Sequence, residues 1–103
     1  MVTKINSEAF KAIDKTGIVV VDFNATWCGP CQKLAPILES VSEELGAKAS
    51  FYAIDTDENP DLAMEYRIMS IPAVLILKDG VKVDMSVGLV SEDELVEIIE
   101  KQL

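Results

Sequence analysis

Residues 27–31 read Trp27-Cys28-Gly29-Pro30-Cys31 and hold both cysteines and the only tryptophan of the 103-residue chain. Two thiols separated by two residues can close a small disulfide ring when the stretch opens a helix, because the second side chain returns to nearly the same face. The pair is therefore a candidate two-electron redox switch.

The residues on either side of this stretch predict a strand before it and a helix after it. Ile18–Phe23 is a run of apolar residues too continuous for a half-exposed strand, which indicates a central strand buried on both faces. From Cys31 to Leu45 apolar residues recur at helical spacing, and Gly46 ends the pattern. Pro36 lies inside this helix, where we expect it to bend the helix but not to end it. The cysteines are thus expected at a strand-to-helix corner.

The remaining chain predicts further elements that complete a single α/β domain over residues 1–103. The chain opens with a short apolar segment, Val2–Ile5. The further predicted strands are Ala49–Asp55, Ala73–Leu77 and, after a turn at Asp79-Gly80, the edge strand Val81–Met85. Three further helices are predicted. The first is capped by Asn6 or Ser7 and ended by Gly17. The second begins at Asn59-Pro60 with Asn59 as its cap, and the third begins with the capping box of Ser91 and Glu94. Parallel strands followed by a hairpin and a closing helix indicate a mixed sheet covered by helices on both faces.

Composition argues against several classes of function. A net charge of −9 with a pI near 4.3 disfavours nucleic acid and anionic membranes as partners, since both attract clustered Lys and Arg. The chain has no histidine, which removes Cys-His dyads, Ser-His-Asp triads and imidazole metal sites. One closely spaced cysteine pair fits a reducing compartment, and Met1–Lys4 shows no signal-peptide pattern, so we expect a cytoplasmic protein.

The positions of the two thiols predict unequal roles for them. A helix N-terminus favours a thiolate because its backbone N–H groups are unpaired and carry partial positive charge, so Cys28 is the expected nucleophile. Cys31, one turn deeper, is expected to be shielded and to react second. A structural disulfide in so small a ring would constrain little of the unfolded chain, and a zinc site would need carboxylates or a second chain as further ligands. We therefore favour redox chemistry and expect no metal.

Three positions stay open when the residues are considered alone. Asp22 interrupts the buried strand, so it is either a desolvated carboxyl group with a raised pKa behind Cys31 or a solvent-facing residue at a strand end. Trp27 either fills the core or is partly exposed beside the thiols. The Ile71-Pro72 peptide bond is expected to be trans, because only about 5–6% of X-Pro bonds in folded proteins are cis.

The chain resembles the thioredoxin family over essentially its whole length. The resemblance rests on Asp22-Phe23, Trp27–Cys31, Pro36, Asp57–Pro60, Ile71-Pro72, Asp79-Gly80 and Gly88. It implies a thioredoxin fold, in which a five-stranded mixed β-sheet is flanked by four α-helices. It also implies a general protein disulfide reductase that needs no cofactor besides its own dithiol and is recharged by an NADPH-dependent flavoprotein, thioredoxin reductase. We expect such a protein to be a monomer.

The same resemblance implies roles for individual residues. Asp22 would be the buried carboxylate that accepts the proton of Cys31, and Pro72 would be cis, contrary to the expectation from X-Pro statistics. The Ile71 backbone would pair with the substrate peptide as an added strand. A flat apolar collar would receive the partner protein, and its residues would be Trp27, Gly29, Pro30, Ile71, Pro72 and Gly88.

Three positions depart from the family pattern. Asn24 stands where an aromatic residue is common, Ala53 where a lysine often lies near the buried aspartate, and Ala73 where threonine is more usual. Without a nearby cation the charged form of Asp22 is less stabilised, so we expect its pKa to be higher than with lysine at position 53.

Two other functions are compatible with these residues. A thioredoxin-fold binding module or subunit could carry the cysteines without using them, although the intact Trp27–Cys31 stretch argues against it. A periplasmic or secreted oxidant or isomerase would use the same pair at another redox potential, which depends on thiolate stability. The Gly29-Pro30 dipeptide favours a reductant.

Overall fold

The computed structural model describes residues Met1–Leu103 and contains five strands and four helices, the numbers that the family resemblance implies. The strands are β1 (Thr3–Lys4), β2 (Ile18–Asn24), β3 (Ala49–Asp55), β4 (Ala73–Lys78) and β5 (Val81–Val87). The helices are α1 (Ser7–Ala12), α2 (Gly29–Leu45), α3 (Pro60–Glu65) and α4 (Glu92–Glu100).

The strands form one mixed sheet in the order β1-β3-β2-β4-β5. Strand β3 pairs in parallel with β1 and β2, whereas β4 pairs antiparallel with β2 and β5. The predicted strand-helix-strand unit is therefore β2-α2-β3, and the predicted hairpin is β4-β5. Asp79 and Gly80 form its turn with φ angles of 51° and 85°, a region that Asp and Gly tolerate better than most residues.

The hydrophobic core lies on both faces of the sheet, because β2 sends alternate side chains in opposite directions. Ile18 and Val20 pack with residues of α2 and α4, while Val19 and Val21 pack with residues of α1 and α3. All four side chains are buried, which confirms the central position predicted for this strand. The same alternation places Asp22 on the face covered by α2.

Helix α2 starts within the cysteine stretch and continues through Pro36 to Leu45, so the prediction that Pro36 does not end it is confirmed. Its buried residues form one stripe against the sheet and include Leu34 and Leu38. The helix therefore holds its first turn rigidly at the end of β2. None of the four helices combines the length and apolar composition that crossing a membrane requires.

The prediction that Gly17 ends the first helix is wrong. Helix α1 ends at Ala12, and Gly17 stands instead at the entry to β2 with a φ of 74°. There its N–H donates to Oδ1 of Asp79 at 2.8 Å, and its carbonyl accepts the N–H of Asp79 at 2.9 Å. Gly17 thus joins the start of β2 to the β4-β5 turn, a long-range role that local spacing does not reveal.

The predicted helix caps are confirmed at two helices and wrong at one. Asn6 caps α1, and Ser91 caps α4 by accepting the backbone N–H of Glu94. The Glu94 carboxylate accepts the Ser91 hydroxyl and not its backbone N–H, so the reciprocal half of the predicted capping box is replaced by a bond between the two side chains. Asn59 precedes α3 but makes no side-chain cap. Its side-chain amide donates to the Asp55 carbonyl at 2.9 Å. Its side-chain oxygen accepts the backbone N–H of Ser7 at 2.9 Å, so Asn59 ties α3 to α1.

Candidate active site

Cys28 and Cys31 lie at the corner between β2 and α2, as the sequence predicts. Cys28 is the N-cap residue of α2, and its Sγ accepts the backbone N–H of Cys31 at 3.2 Å. The two side chains form a disulfide across Cα atoms that are 5.3 Å apart. Pro30 occupies the first turn, where the N–H that it lacks has no intrahelical partner in any case. A sulfur at this helix end is in an environment that favours a thiolate.

The two cysteines are buried to the same extent, whereas the sequence predicts shielding for Cys31 in particular. Each is 4% exposed. Cys28 is covered because Ala25, Cys31 and Ile71 pack against it, and its Sγ lies 3.9 Å from the carbonyl oxygen of Ile71. Cys31 instead lines an inner cleft together with Asp22. The neighbours of the two sulfurs, and not their exposure, therefore distinguish the cysteines in the oxidised protein.

Asp22 is a buried carboxyl group with an incomplete set of hydrogen bonds. Its side chain is 3% exposed, which excludes the solvent-facing alternative. Nδ2 of Asn24 donates to Oδ2 at 3.3 Å, and Oδ1 has no hydrogen-bond partner. Burial raises the pKa of Asp22 from 3.8 to about 6, and the hydrogen bond from Asn24 acts in the opposite direction. Of the two alternatives for Asp22, the structure therefore shows the desolvated carboxyl group.

A cleft of about 370 Å³ connects Asp22 with Cys31. Its other lining residues include Lys4, Asn24 and Ala53. Since one water takes up about 30 Å³ and needs polar partners, the cleft has room and hydrogen-bonding groups for water between the carboxyl group and the thiol. No group of three or more Cys, Asp or Glu side chains is arranged to hold a metal ion.

Ile71, Pro72 and Gly88 form a wall beside Cys28. The Ile71-Pro72 peptide bond is cis, so the expectation from X-Pro statistics is wrong and the one from the family resemblance is confirmed. Gly88 has a φ of 94° and donates its N–H to the carbonyl oxygen of Pro72 at 2.8 Å. This bond joins the loop after β5 to the loop before β4 and brings three of the predicted collar residues together.

Trp27 lies at the surface and does not fill the core. The side chain is 70% exposed, and its Nε1–H donates to Oδ2 of Asp57 at 2.7 Å. Gly29 and Pro30, in the first turn of α2, are exposed as well. The remaining predicted collar residues therefore form an accessible rim that flanks the buried Cys28 along the chain.

Sequence reasoning missed three residues around the site. Asp57 enters the sequence argument only through the family pattern, yet its carboxylate accepts the indole N–H of Trp27. Asn24 departs from the family pattern, and its amide hydrogen-bonds the buried carboxyl group of Asp22. Lys4 belongs to no motif, yet it lines the cleft. An amide two positions after a buried Asp was a usable signal for Asn24, whereas the other two contacts depend on long-range pairing.

Comparison with known proteins identifies similar chains along the full length. The thioredoxin family model matches residues 1–101. The thioredoxin of Bacillus subtilis strain 168 is 43% identical over 102 residues, which cover 99% of this chain and 98% of that protein. The thioredoxin of Staphylococcus aureus strain N315 is 40% identical over 102 residues, with the same two shares of 99% and 98%. The crystal structure of a chloroplastic thioredoxin z has a TM-score of 0.86 and 34% identity, covering 97% of this chain and 92% of that chain.

Proposed function

This chain belongs to the thioredoxin family and is a thiol-disulfide oxidoreductase, and we propose that it works as a general reductant of disulfides in other proteins. The observation that carries the proposal is the Cys28-Cys31 disulfide at the N-terminus of α2, where Sγ of Cys28 accepts the N–H of Cys31. The thiol pair supplies both electrons itself, so the reaction needs no other redox group in the chain.

The first step is attack by the Cys28 thiolate on one sulfur of a partner disulfide. The partner S–S bond breaks, a mixed disulfide with Cys28 forms, and the first partner sulfur leaves as a thiolate that takes up a proton. The N-cap position supports this assignment, because the helix end and the Cys31 N–H stabilise negative charge on Sγ before the attack.

The second step resolves the mixed disulfide through Cys31. Its thiol gives a proton to the Asp22 carboxylate, directly or through water in the cleft, and its sulfur attacks Sγ of Cys28. The mixed disulfide breaks, the second partner sulfur leaves with the electron pair, and the Cys28-Cys31 disulfide forms. A carboxyl group with a pKa of about 6 is suited to this role, since at neutral pH it is ionised yet more basic than an exposed aspartate.

We assign partner binding to the rim around Cys28. An extended segment of the partner would pair with the Ile71 backbone, whose carbonyl oxygen lies 3.9 Å from Sγ of Cys28. The exposed apolar surface of Trp27 and the small residues Gly29 and Gly88 leave room for that segment. Pro30 completes the rim, and the buried Pro72 supports it from the wall beside Cys28.

Several finer features of the function are proposals as well. Residues 1–103 would act as one monomeric domain, and a separate NADPH-dependent flavoprotein, thioredoxin reductase, would return the Cys28-Cys31 disulfide to the dithiol. A cytoplasmic location fits the single, closely spaced cysteine pair, because such pairs are typical of catalytic thiols in reducing compartments.

Insulin reduction with dithiothreitol tests the reductase activity. Catalytic amounts of the protein should accelerate the precipitation of insulin chains well beyond dithiothreitol alone. A Cys28→Ser/Cys31→Ser variant is the matched control and should give only the background rate. Equal rates for the native protein and this control would refute the proposal and favour a binding module that does not use its cysteines.

A further inference from the structure

Lys4, Ala53 and Asp22 form one row across three neighbouring strands. The register pairs Lys4 of β1 with Ala53 of β3, and Ala53 with Asp22 of β2. Residues paired in this way point to the same face of the sheet, and adjacent strands lie about 4.8 Å apart. Two strand spacings, about 10 Å, therefore separate the backbones of Lys4 and Asp22, and the only side chain between them in this row is the methyl group of Ala53.

The space above this methyl group is open. The cleft of about 370 Å³ is lined by Lys4 and Ala53 as well as by Asp22 and Cys31. Lys4 is the only cation among its lining residues, and Asp55 is the only other carboxylate. Oδ1 of Asp22 has no hydrogen-bond partner.

The present partner of Lys4 holds it weakly. Its Nζ lies 3.4 Å from Oε1 of Glu58, and the two side chains are 68% and 65% exposed. Exposed ion pairs of this kind contribute little, because water and salt screen both charges. The four-carbon stem of Lys4 is flexible, so the ammonium group can exchange between Glu58 and the cleft.

We propose that Lys4 is a positioning residue for Asp22, whose ammonium group leaves Glu58 and crosses Ala53 to lie against the Asp22 carboxylate. The proposal rests on the proposed role of Asp22 as the acceptor of the Cys31 proton. An ammonium group in the cleft stabilises only the ionised carboxyl group, so it keeps Asp22 ready to accept a proton at a lower pH. Glu58 competes for the same ammonium group and weakens the effect.

Other charged groups near Asp22 do not supply this interaction. Asp55 lines the cleft from β3 and is itself an anion, and its Oδ1 accepts the backbone N–H groups of Asp57 and Glu58. From α2 the cleft is lined by the disulfide-bonded Cys31 and by the uncharged Gln32 and Ala35. From β4 the paired residue is the apolar Val74.

Carbon NMR titration of the Asp22 carboxyl group tests the proposal. The oxidised protein is used, because its cysteines do not titrate and no turnover is needed. Lys4→Met keeps most of the stem and removes the charge, so it should raise the pKa of Asp22 by about half a pH unit or more at low salt. Lys82→Met is the matched control, since it removes the same charge from β5 at the opposite edge of the sheet.

A double-mutant cycle separates the role of Glu58 from its own charge. Glu58→Gln should lower the pKa of Asp22 in the native background and change it much less in the Lys4→Met background, where no ammonium group is released. The proposal would be overturned if the pKa of Asp22 were the same in Lys4→Met and Lys82→Met. It would also be overturned if Glu58→Gln changed that pKa equally in both backgrounds.

The pH profile of insulin reduction gives a second readout. With Lys4→Met, the rise in rate that follows ionisation of Asp22 should move to higher pH by the same interval as the NMR titration. An NMR shift without a matching shift in the profile would contradict the catalytic part of the proposal and leave the reductase activity itself intact.

Discussion

The side-chain amide of Asn24 donates a hydrogen bond to the buried carboxyl group of Asp22, with 3.3 Å between Nδ2 and Oδ2. Its Nδ2 also lies 3.3 Å from the Asp22 carbonyl oxygen, so one amide contacts both the side chain and the backbone of the same residue. The bond opposes the effect of burial on the pKa of Asp22 but does not cancel it, because burial has the larger effect. Oδ1 has no hydrogen-bond partner. The carboxyl group is thus destabilised in its ionised form and remains a base.

Replacing Asp22 with Asn should stabilise the protein at neutral pH. Because the pKa of Asp22 is about 6 in the folded protein against an ordinary 3.8, the folded state binds its proton more tightly than the unfolded state. The contribution of Asp22 to stability is therefore fully present below its ordinary pKa and is lost as pH rises through about 6. Relative to Asp22→Asn, the native protein should lose about 2–3 kcal/mol between pH 4 and pH 8.

Urea unfolding of the two proteins across this pH range measures the difference. The slopes of the free energy of unfolding against pH are compared, because a constant cost of burying the Asn amide does not change a slope. All other titrating groups are common to both proteins and cancel. Parallel stability curves would show that Asp22 does not titrate near pH 6 in the folded state.

Placing lysine at position 53 should lower the pKa of Asp22 below the native value. Ala53 pairs directly with Asp22, so the stem of the new side chain starts one strand away from the carboxyl group on the same face. Its ammonium group would stabilise the ionised form, in the direction opposite to burial. Carbon NMR titration of Asp22 gives the value, with Ala53→Met as the uncharged control of similar length. An unchanged or raised pKa in Ala53→Lys contradicts this expectation.

Removing the hydrogen-bond acceptor of the Trp27 indole should weaken partner binding and leave the rate of thiol-disulfide exchange nearly unchanged. Asp57→Ala deletes the 2.7 Å hydrogen bond and leaves an exposed indole free to rotate. A loss of about 1 kcal/mol in the free energy of partner binding would raise KM for insulin roughly fivefold, with little change in kcat. Fluorescence anisotropy of the single tryptophan reports its mobility directly, and Asp57→Asn keeps an acceptor oxygen as control. Native anisotropy in Asp57→Ala would rule out this role.

The elements that build the fold follow from local patterns in the sequence. The apolar run from Ile18 to Phe23 has no polar face except at Asp22, so the strand has to be covered on both sides. The helical spacing that ends at Leu45 and the caps at Asn6 and Ser91 are local signals as well. The disulfide joins residues only three positions apart, so its position also follows from local spacing.

The surroundings of Asp22 and Trp27 could not be predicted in this way, because they depend on register. Lys4 reaches the cleft only because a strand of two residues pairs with Ala53, and no local pattern sets that pairing. Asp57 is 30 positions from Trp27, and its carboxylate meets the indole only after β3 is placed beside β2. The cis bond at Pro72 contradicts the statistics of X-Pro bonds, and only the family resemblance indicates it.

Trapping of mixed disulfides tests most directly the central claim that Cys28 attacks the partner and Cys31 resolves the complex. Reduced Cys31→Ser and Cys28→Ser variants are incubated with insulin, and covalent adducts are measured on non-reducing gels and by mass spectrometry. We predict that Cys31→Ser accumulates a stable adduct. The Cys28 thiolate at the helix N-terminus still attacks the partner disulfide, but the variant lacks the second thiol that would release the partner. Cys28→Ser should form little adduct, because Cys31 faces the inner cleft. Equal trapping by the two variants, or stronger trapping by Cys28→Ser, would contradict these roles.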